Sequence, residues 1–186
     1  MKIPIIVHHR HVHLSQKDMD ALFGSKLAPI AELGHKGQHV FKETVAVIGE
    51  QGILEHVRVL GPARESTQLE LSPVEAAALG VDAPVRASGE LSGAATVTLR
   101  GPHGQVRRKC AIIPIRHLHA NGADATRLGV KDGDVVTLEL YKTGAHVEHV
   151  LVRVHPSFAL ECHLSPDEAA ELWVTAGDRA SVRKVG

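Results

Sequence analysis

Two short segments of this chain occur twice, in the same order. Arg10-His11-Val12-His13 returns as Arg116-His117-Leu118-His119, and Leu71-Ser72-Pro73-Val74-Glu75-Ala76-Ala77 returns as Leu164-Ser165-Pro166-Asp167-Glu168-Ala169-Ala170. The residue before each later segment is a possible metal ligand, Glu70 in one half and His163 in the other. Each half therefore offers two histidines and one further donor. The expectation is a duplicated three-ligand site, His11/His13/Glu70 and His117/His119/His163. Three protein ligands leave a coordination position open, which is the layout of a catalytic rather than a structural zinc site.

The spacing has a physical basis. In a strand, residues i and i+2 point to the same face, so His-x-His sets two imidazoles within reach of one ion. A duplication that kept only packing and capping residues would explain the Ser-Pro-x-Glu-Ala-Ala segments. It would not explain why paired imidazoles stand at strand positions twice. A pair of histidines with a glutamate suits zinc, and so does a trio of histidines, while imidazole also suits cobalt, nickel or iron. Other histidines, such as His146 and His149, read as surface residues.

Composition narrows the fold. The 186 residues suit one domain or two small ones. Only 3% are aromatic against 44% hydrophobic, so the core must be built of Val, Leu, Ile and Ala. Lys+Arg and Asp+Glu both number 21, so no basic field draws the chain to nucleic acid. No apolar run approaches membrane-spanning length, and no signal segment opens the chain. Cys110 and Cys162 do not make a disulfide framework, and a reducing, cytoplasmic setting is expected.

Strands are expected at 3–7, 44–48, 54–60, 67–71, 95–99, 106–113, 135–141 and 149–155. A helix is expected over 15–23, with Ser15 as its cap, Asp18 at the third position and Gly24 at its stop. Ser72 and Ser165 each read as the cap of a further helix, with Pro next and Glu third, a capping box. A last helical stretch is expected over 123–128. Residues 28–38 read as irregular and Gly61-Pro62 as a turn. The expected fold is mainly β with short helices, as two packed small β-barrels related by the internal repeat.

A second constellation concerns anions. Arg64, followed by Ser66 and Thr67, stands just before Glu70, and Arg86-Ala87-Ser88-Gly89 follows the second helix. An arginine fork matches phosphate oxygens, and beside a metal ligand Arg64 is the stronger of the two as an anion clamp. Lys26, Lys36 and Lys42 have no such context. The nucleophile elbow, the phosphate-binding Gly-Lys loop and the dinucleotide fingerprint are all missing. Cys162 reads as core, so the chemistry must rest on metals.

Six stretches together resemble the PduL-type phosphate acyltransferase (phosphotransacylase) family. They are Arg-His-Val-His-Leu-Ser, Arg-Val-Leu-Gly-Pro-Ala-Arg ending at Arg64, Thr-Gln-Leu-Glu-Leu-Ser around Glu70, Arg-Ala-Ser-Gly at 86–89, Arg-His-Leu-His, and Glu-Cys-His-Leu-Ser-Pro-Asp-Glu-Ala. The resemblance implies an enzyme interconverting short-chain acyl-CoA plus phosphate with acyl-phosphate plus CoA, propanoyl or acetyl, in propanediol degradation. It implies two zinc ions per chain, with the six ligands named above. It makes Arg64 the phosphate-binding, catalytic arginine and puts Ser88 in a phosphate-contacting loop. It also implies a homodimer, and barrels of 1–8 with 114–186 and of 9–113. Where the family usually has Ser-Asn before Arg-His-Val-His, this chain has His8-His9. Family members packaged in bacterial microcompartments usually carry an amphipathic N-terminal extension, and the opening residues Met-Lys-Ile-Pro are expected to enter the fold at once rather than form one. A reading from another class is a metal-dependent hydrolase of a phosphorylated or acylated small molecule, which two open metals and an arginine would also serve.

Overall fold

A computed structural model describes residues 1–24, 27–33 and 37–183. The expectations for Lys26 and Lys36, and for residues 34–36 of the irregular stretch, fall outside the described residues. In chain order the elements are β1 (Ile3–Val7), β2 (His11–Ser15), α1 (Gln16–Phe23), β3 (Pro29–Glu32), β4 (His39–Ile48), β5 (Ile53–Arg64) and β6 (Gln68–Glu70). Then come α2 (Pro73–Leu79), β7 (Val85–Arg86), β8 (Ala95–Arg100), β9 (Gln105–Pro114), β10 (His117–Ala120), α3 (Gly122–Leu128) and β11 (Val135–Leu140). The last four are β12 (His146–Val154), β13 (Glu161–Leu164), α4 (Pro166–Glu171) and β14 (Arg179–Val182). The chain divides into two compact units, Met1–His9 with Ile115–Gly186, and Arg10–Pro114.

Each unit is a closed six-stranded barrel. In the first the ring runs β1-β13-β10-β12-β11-β14 and back to β1. In the second it runs β4-β5-β2-β6-β9-β8, and the β8–β4 ladder closes it. β3 and β7 hang on β4 and β9 outside the ring. Closure pairs the strand edges that an open sheet would leave exposed.

The two rings match pairing for pairing. β2 lies parallel to β5 and antiparallel to β6, just as β10 lies parallel to β12 and antiparallel to β13. The parallel β6–β9 pair corresponds to β13–β1, and the antiparallel β9–β8 pair to β1–β14. β1, from the chain start, thus fills in the first barrel the place that β9 fills in the second. Each of these strands runs directly into a His-x-His strand of the other unit.

Both cores are aliphatic. Val12, Leu14, Leu69, Leu71, Val97 and Leu99 are buried in one, and Leu118, Leu138, Leu140, Val150, Val152 and Cys162 in the other. The caps behave as their residue types dictate. Ser72 and Ser165 accept from the amides of Glu75 and Glu168, whose carboxylates reach back to the serine amides in two complete capping boxes. Ser15 accepts from the Asp18 amide, and Gly24 ends α1 with φ 66°.

Two expectations need correction. Pro29–Glu32 is a strand, not an irregular stretch, because β4 starts at His39 and offers β3 a ladder. Every β3 residue is exposed, so no hydrophobic alternation marks it. Gly61-Pro62 lies inside β5 rather than in a turn. It sits where the β2–β5 register shifts between His13↔Leu60 and Ser15↔Arg64, a bulge that tolerates a residue without an N–H.

A third repeat emerges only from the fold. Glu55-His56-Val57 and Glu148-His149-Val150 occupy equivalent bulges, at register shifts of the β4–β5 and β11–β12 pairs. His56 and His149 have φ 56° and 55° there. Histidine is among the side chains that enter this left-handed region most readily, which gives the repeat a structural reason. His146 and His149 are exposed, as expected.

Candidate functional site

Strand alternation decides where the candidate ligands go. Leu118 lies in the core of its barrel, so His117 and His119 take the opposite face of β10. Cys162 and Leu164 are core, so His163 points the same way from β13. Val12, Leu14, Leu69 and Leu71 do the same for His11, His13 and Glu70. Register then brings first and third ligands opposite each other: His117 pairs with His163 and His11 with Glu70.

In the first barrel three imidazoles converge. His117, His119 and His163 each offer one ligand nitrogen, and these atoms all lie within 4.8 Å of one another. Ring centroids are 4.6–4.7 Å apart. His117 Nδ1 lies 2.8 Å from the Ile115 carbonyl oxygen. A carbonyl only accepts, so Nδ1 carries the proton and Nε2 the lone pair, the tautomer a metal ligand needs. Phe158 stacks on His119 at 3.9 Å and fixes its plane. His8 adds a fourth imidazole, with its ring 5.4 Å from that of His163. The donor set fits a zinc-like cation in number and type.

In the second barrel the set is different. The His11 and His13 rings are 5.0 Å apart, and His11 Nε2 lies 3.5 Å from Glu70 Oε2. His11, His13 and Glu70 are all buried. His13 Nε2 is 2.8 Å from Arg64 Nη2. A guanidinium only donates, so His13 offers its Nε2 lone pair to Arg64 here. In donor type two imidazoles and a carboxylate suit zinc, with one negative charge that the other set lacks, but the His13 Nε2 is turned to Arg64 here and His13 is not among the converging ligand atoms.

Arg64, the candidate anion clamp, is held between His13 and Ser88. Its Nη1 donates to Ser88 Oγ at 3.4 Å. Burial lowers its pKa from the usual value and the Glu70 carboxylate opposes that, but a guanidinium stays charged. Arg86 turns elsewhere, donating to the carbonyls of Ser92 and Val85 at 2.9 and 2.8 Å.

The sequence reading missed Gln68 and Glu161. Buried Gln68 donates to Glu70 Oε1 at 2.6 Å and to Ser88 Oγ at 2.9 Å, and accepts from the Gly89 amide at 2.7 Å. Glu161 Oε1 lies 3.1 Å from His163 Nε2. Both stand two residues before the third ligand, hence on its face. An amide donor faces the carboxylate ligand, and a carboxylate faces the imidazole ligand. The signal available was the i−2 position itself.

The thiols take no part. Burial pushes Cys110 and Cys162 up to about 12, so neither is a thiolate at neutral pH.

A family model described as phosphate propanoyltransferase matches residues 4–175. The chain belongs to the phosphate propanoyltransferase family. A phosphate propanoyltransferase of Thermotoga maritima is 44% identical over 177 residues, which cover 92% of this chain and 84% of that protein. One from Rhodobacter capsulatus is 40% identical over 187 residues, covering 98% of this chain and 87% of its own. One from Levilactobacillus brevis is 40% identical over 171 residues, covering 90% and 82%. Phosphate propanoyltransferases are acyltransferases by their name, and the match spans both His-x-His strands and both third-ligand strands. Among the described residues no helix is long and apolar enough to cross a membrane.

Proposed function

We propose that the chain moves a short acyl group, propanoyl or acetyl, between coenzyme A and inorganic phosphate, with two zinc ions per chain. The observation that carries this reading is the setting of Arg64. A partly buried guanidinium, a hydroxyl from Ser88 and the metal-ligand type residues His13 and Glu70 share one side of one barrel. That is a place for a phosphate beside a place for a cation.

His117, His119 and His163 would hold one zinc, and His11, His13 and Glu70 the other. Bound zinc supplies Lewis acidity, which polarises an acyl carbonyl and stabilises a thiolate. Arg64 binds phosphate through its fork and exchanges its hydrogen bond with His13 for bonds to phosphate oxygens. Ser88 donates its hydroxyl to the same anion, and Gln68 keeps the Ser88–Gly89 loop in place. A phosphate oxygen then attacks the thioester carbonyl carbon. The C–O bond forms, the C–S bond breaks, and coenzyme A leaves as thiolate and takes a proton from solvent. Phosphate is already an anion, so the step needs no strong general base, in keeping with two cysteines locked in the core. Held in line by Arg64, phosphate gains the advantage of orientation over a free solute.

The reverse reaction tests the proposal. Propanoyl phosphate and coenzyme A should give thioester absorbance in the ultraviolet, lost after treatment with a zinc chelator and restored by zinc. Acyl phosphate consumed without thioester formation would indicate a hydrolase and overturn the reading.

A further inference from the structure

The two duplicated motifs meet in space. Arg10 Nη1 lies 2.8 Å from Glu75 Oε1, and Arg116 Nε lies 2.8 Å from Glu168 Oε1. Each arginine is the residue before a His-x-His pair, and each glutamate closes the capping box five residues beyond a third ligand. The second oxygen of each glutamate accepts the cap serine amide, Ser72 N at 2.9 Å and Ser165 N at 2.8 Å. One carboxylate thus ties the helix start to the strand of the first ligand. Since His11 pairs with Glu70 and His117 with His163, each ion pair closes the end of the ladder that sets two ligands opposite each other.

We propose that Arg10–Glu75 and Arg116–Glu168 are positioning straps for the two metal sites, a proposal that rests on the metal-site reading above. Stability alone does not account for them. Pairs whose arginines reach solvent, 40% and 36% exposed against 15% and 21% for the glutamates, are screened on one side and contribute modestly to folding. Helix capping does not account for them either, because the cap uses only one carboxylate oxygen. The other two helices supply the contrast. α1 and α3 also carry an acid at the third position, Asp18 and Asp124. Asp18 pairs with Arg108 on β9, whereas Asp124 pairs with Arg127 in its own helix. Those pairings differ between the halves. The pairing that spans a first and a third ligand is the same in both. Groups behind metal ligands set their orientation, and losing one weakens metal binding about 10- to 100-fold.

The test uses the zinc-loaded full chain. Glu168→Gln keeps a cap acceptor, since glutamine also completes a capping box, but removes the charge opposite Arg116. Arg116→Gln removes the pair from the other side, and the double variant completes the cycle. Arg127→Gln is the control for loss of an ion pair away from a His pair. Zinc transfer to a colorimetric chelator is measured for each, together with the unfolding midpoint of the metal-stripped protein. The expected result is that one of two zinc ions passes to the chelator at least about tenfold more readily in both single variants. The double variant should be no worse than either, the control unchanged, and the metal-free midpoint unmoved. If both zinc ions stay as tightly held as in the parent, the strap proposal fails and the metal-site reading stands. Metal loss that follows only a fallen metal-free midpoint also overturns it. A parent that holds no zinc overturns both.

Discussion

Arg64 uses the two ends of one fork on different partners, His13 and Ser88. Lysine keeps the charge but not the planar fork whose two separate nitrogens reach these partners. Arg64→Lys should therefore raise the KM for phosphate or lower turnover by about 10- to 100-fold, the loss of a charged hydrogen bond worth ~1.5–3 kcal/mol. The KM for acyl-CoA should move far less. Steady-state kinetics with each substrate varied checks this, and equal impairment for both would make Arg64 structural. Glu70 supplies the only carboxylate among the six proposed ligands. Glu70→Gln keeps the shape and removes the charge, so it should weaken one zinc and abolish activity while its metal-free form unfolds as the metal-free parent does. Elemental analysis beside a melting curve decides, and full zinc content would take Glu70 off the ligand list. Duplication marks the six candidate ligands in the sequence, and the fold brings the ligand atoms of His117, His119 and His163 together. Gln68 and Glu161 carry only the weaker signal of standing two residues before Glu70 and His163, and the Gln68 contacts with Ser88 and Gly89 come from a loop that no motif shows.

Short elements with strong end signals were readable from the residues. Ser, Asp or Glu at the third position and a closing Gly mark α1 and α2 in the sequence as clearly as in the fold. β3 was not readable, since a strand held by its backbone alone has no apolar face to show. The bulge around Gly61-Pro62 was hidden for a related reason: proline reads as a turn unless the partner's register is known. The buried Asp18 joins α1 to β9 and to Thr67, just before β6. Burial raises its pKa, but hydrogen bonds from Arg108 and Thr67 outweigh that and leave it below the ordinary carboxylate value. A depressed folded pKa gives stability that is present above the unfolded value of about 3.9 and lost as pH falls through the folded one. Asp18→Asn should therefore destabilise the protein most at neutral pH, with the difference from the parent shrinking below about pH 4. Urea unfolding at several pH values tests this, and a pH-independent difference would assign the effect to packing.

Across the whole molecule, duplication is the feature that sequence and structure share most fully. Both rings repeat the same six pairings, and each third-ligand strand leads into a boxed helix. The Glu-His-Val repeat was overlooked in the sequence because its role is a backbone conformation rather than a side-chain chemistry. The place of β1 in the first barrel came from family resemblance; nothing in residues 3–7 alone says which ring they close. The two proposed ligand sets differ by one carboxylate, Glu70 in one barrel standing where His163 stands in the other. The central claim is that phosphate, not water, receives the acyl group. It is tested most directly by following free thiol released from propanoyl-CoA by the zinc-loaded protein, with and without inorganic phosphate. The account predicts thiol release that requires phosphate and is matched one for one by acyl phosphate. Release at the same rate without phosphate would contradict it.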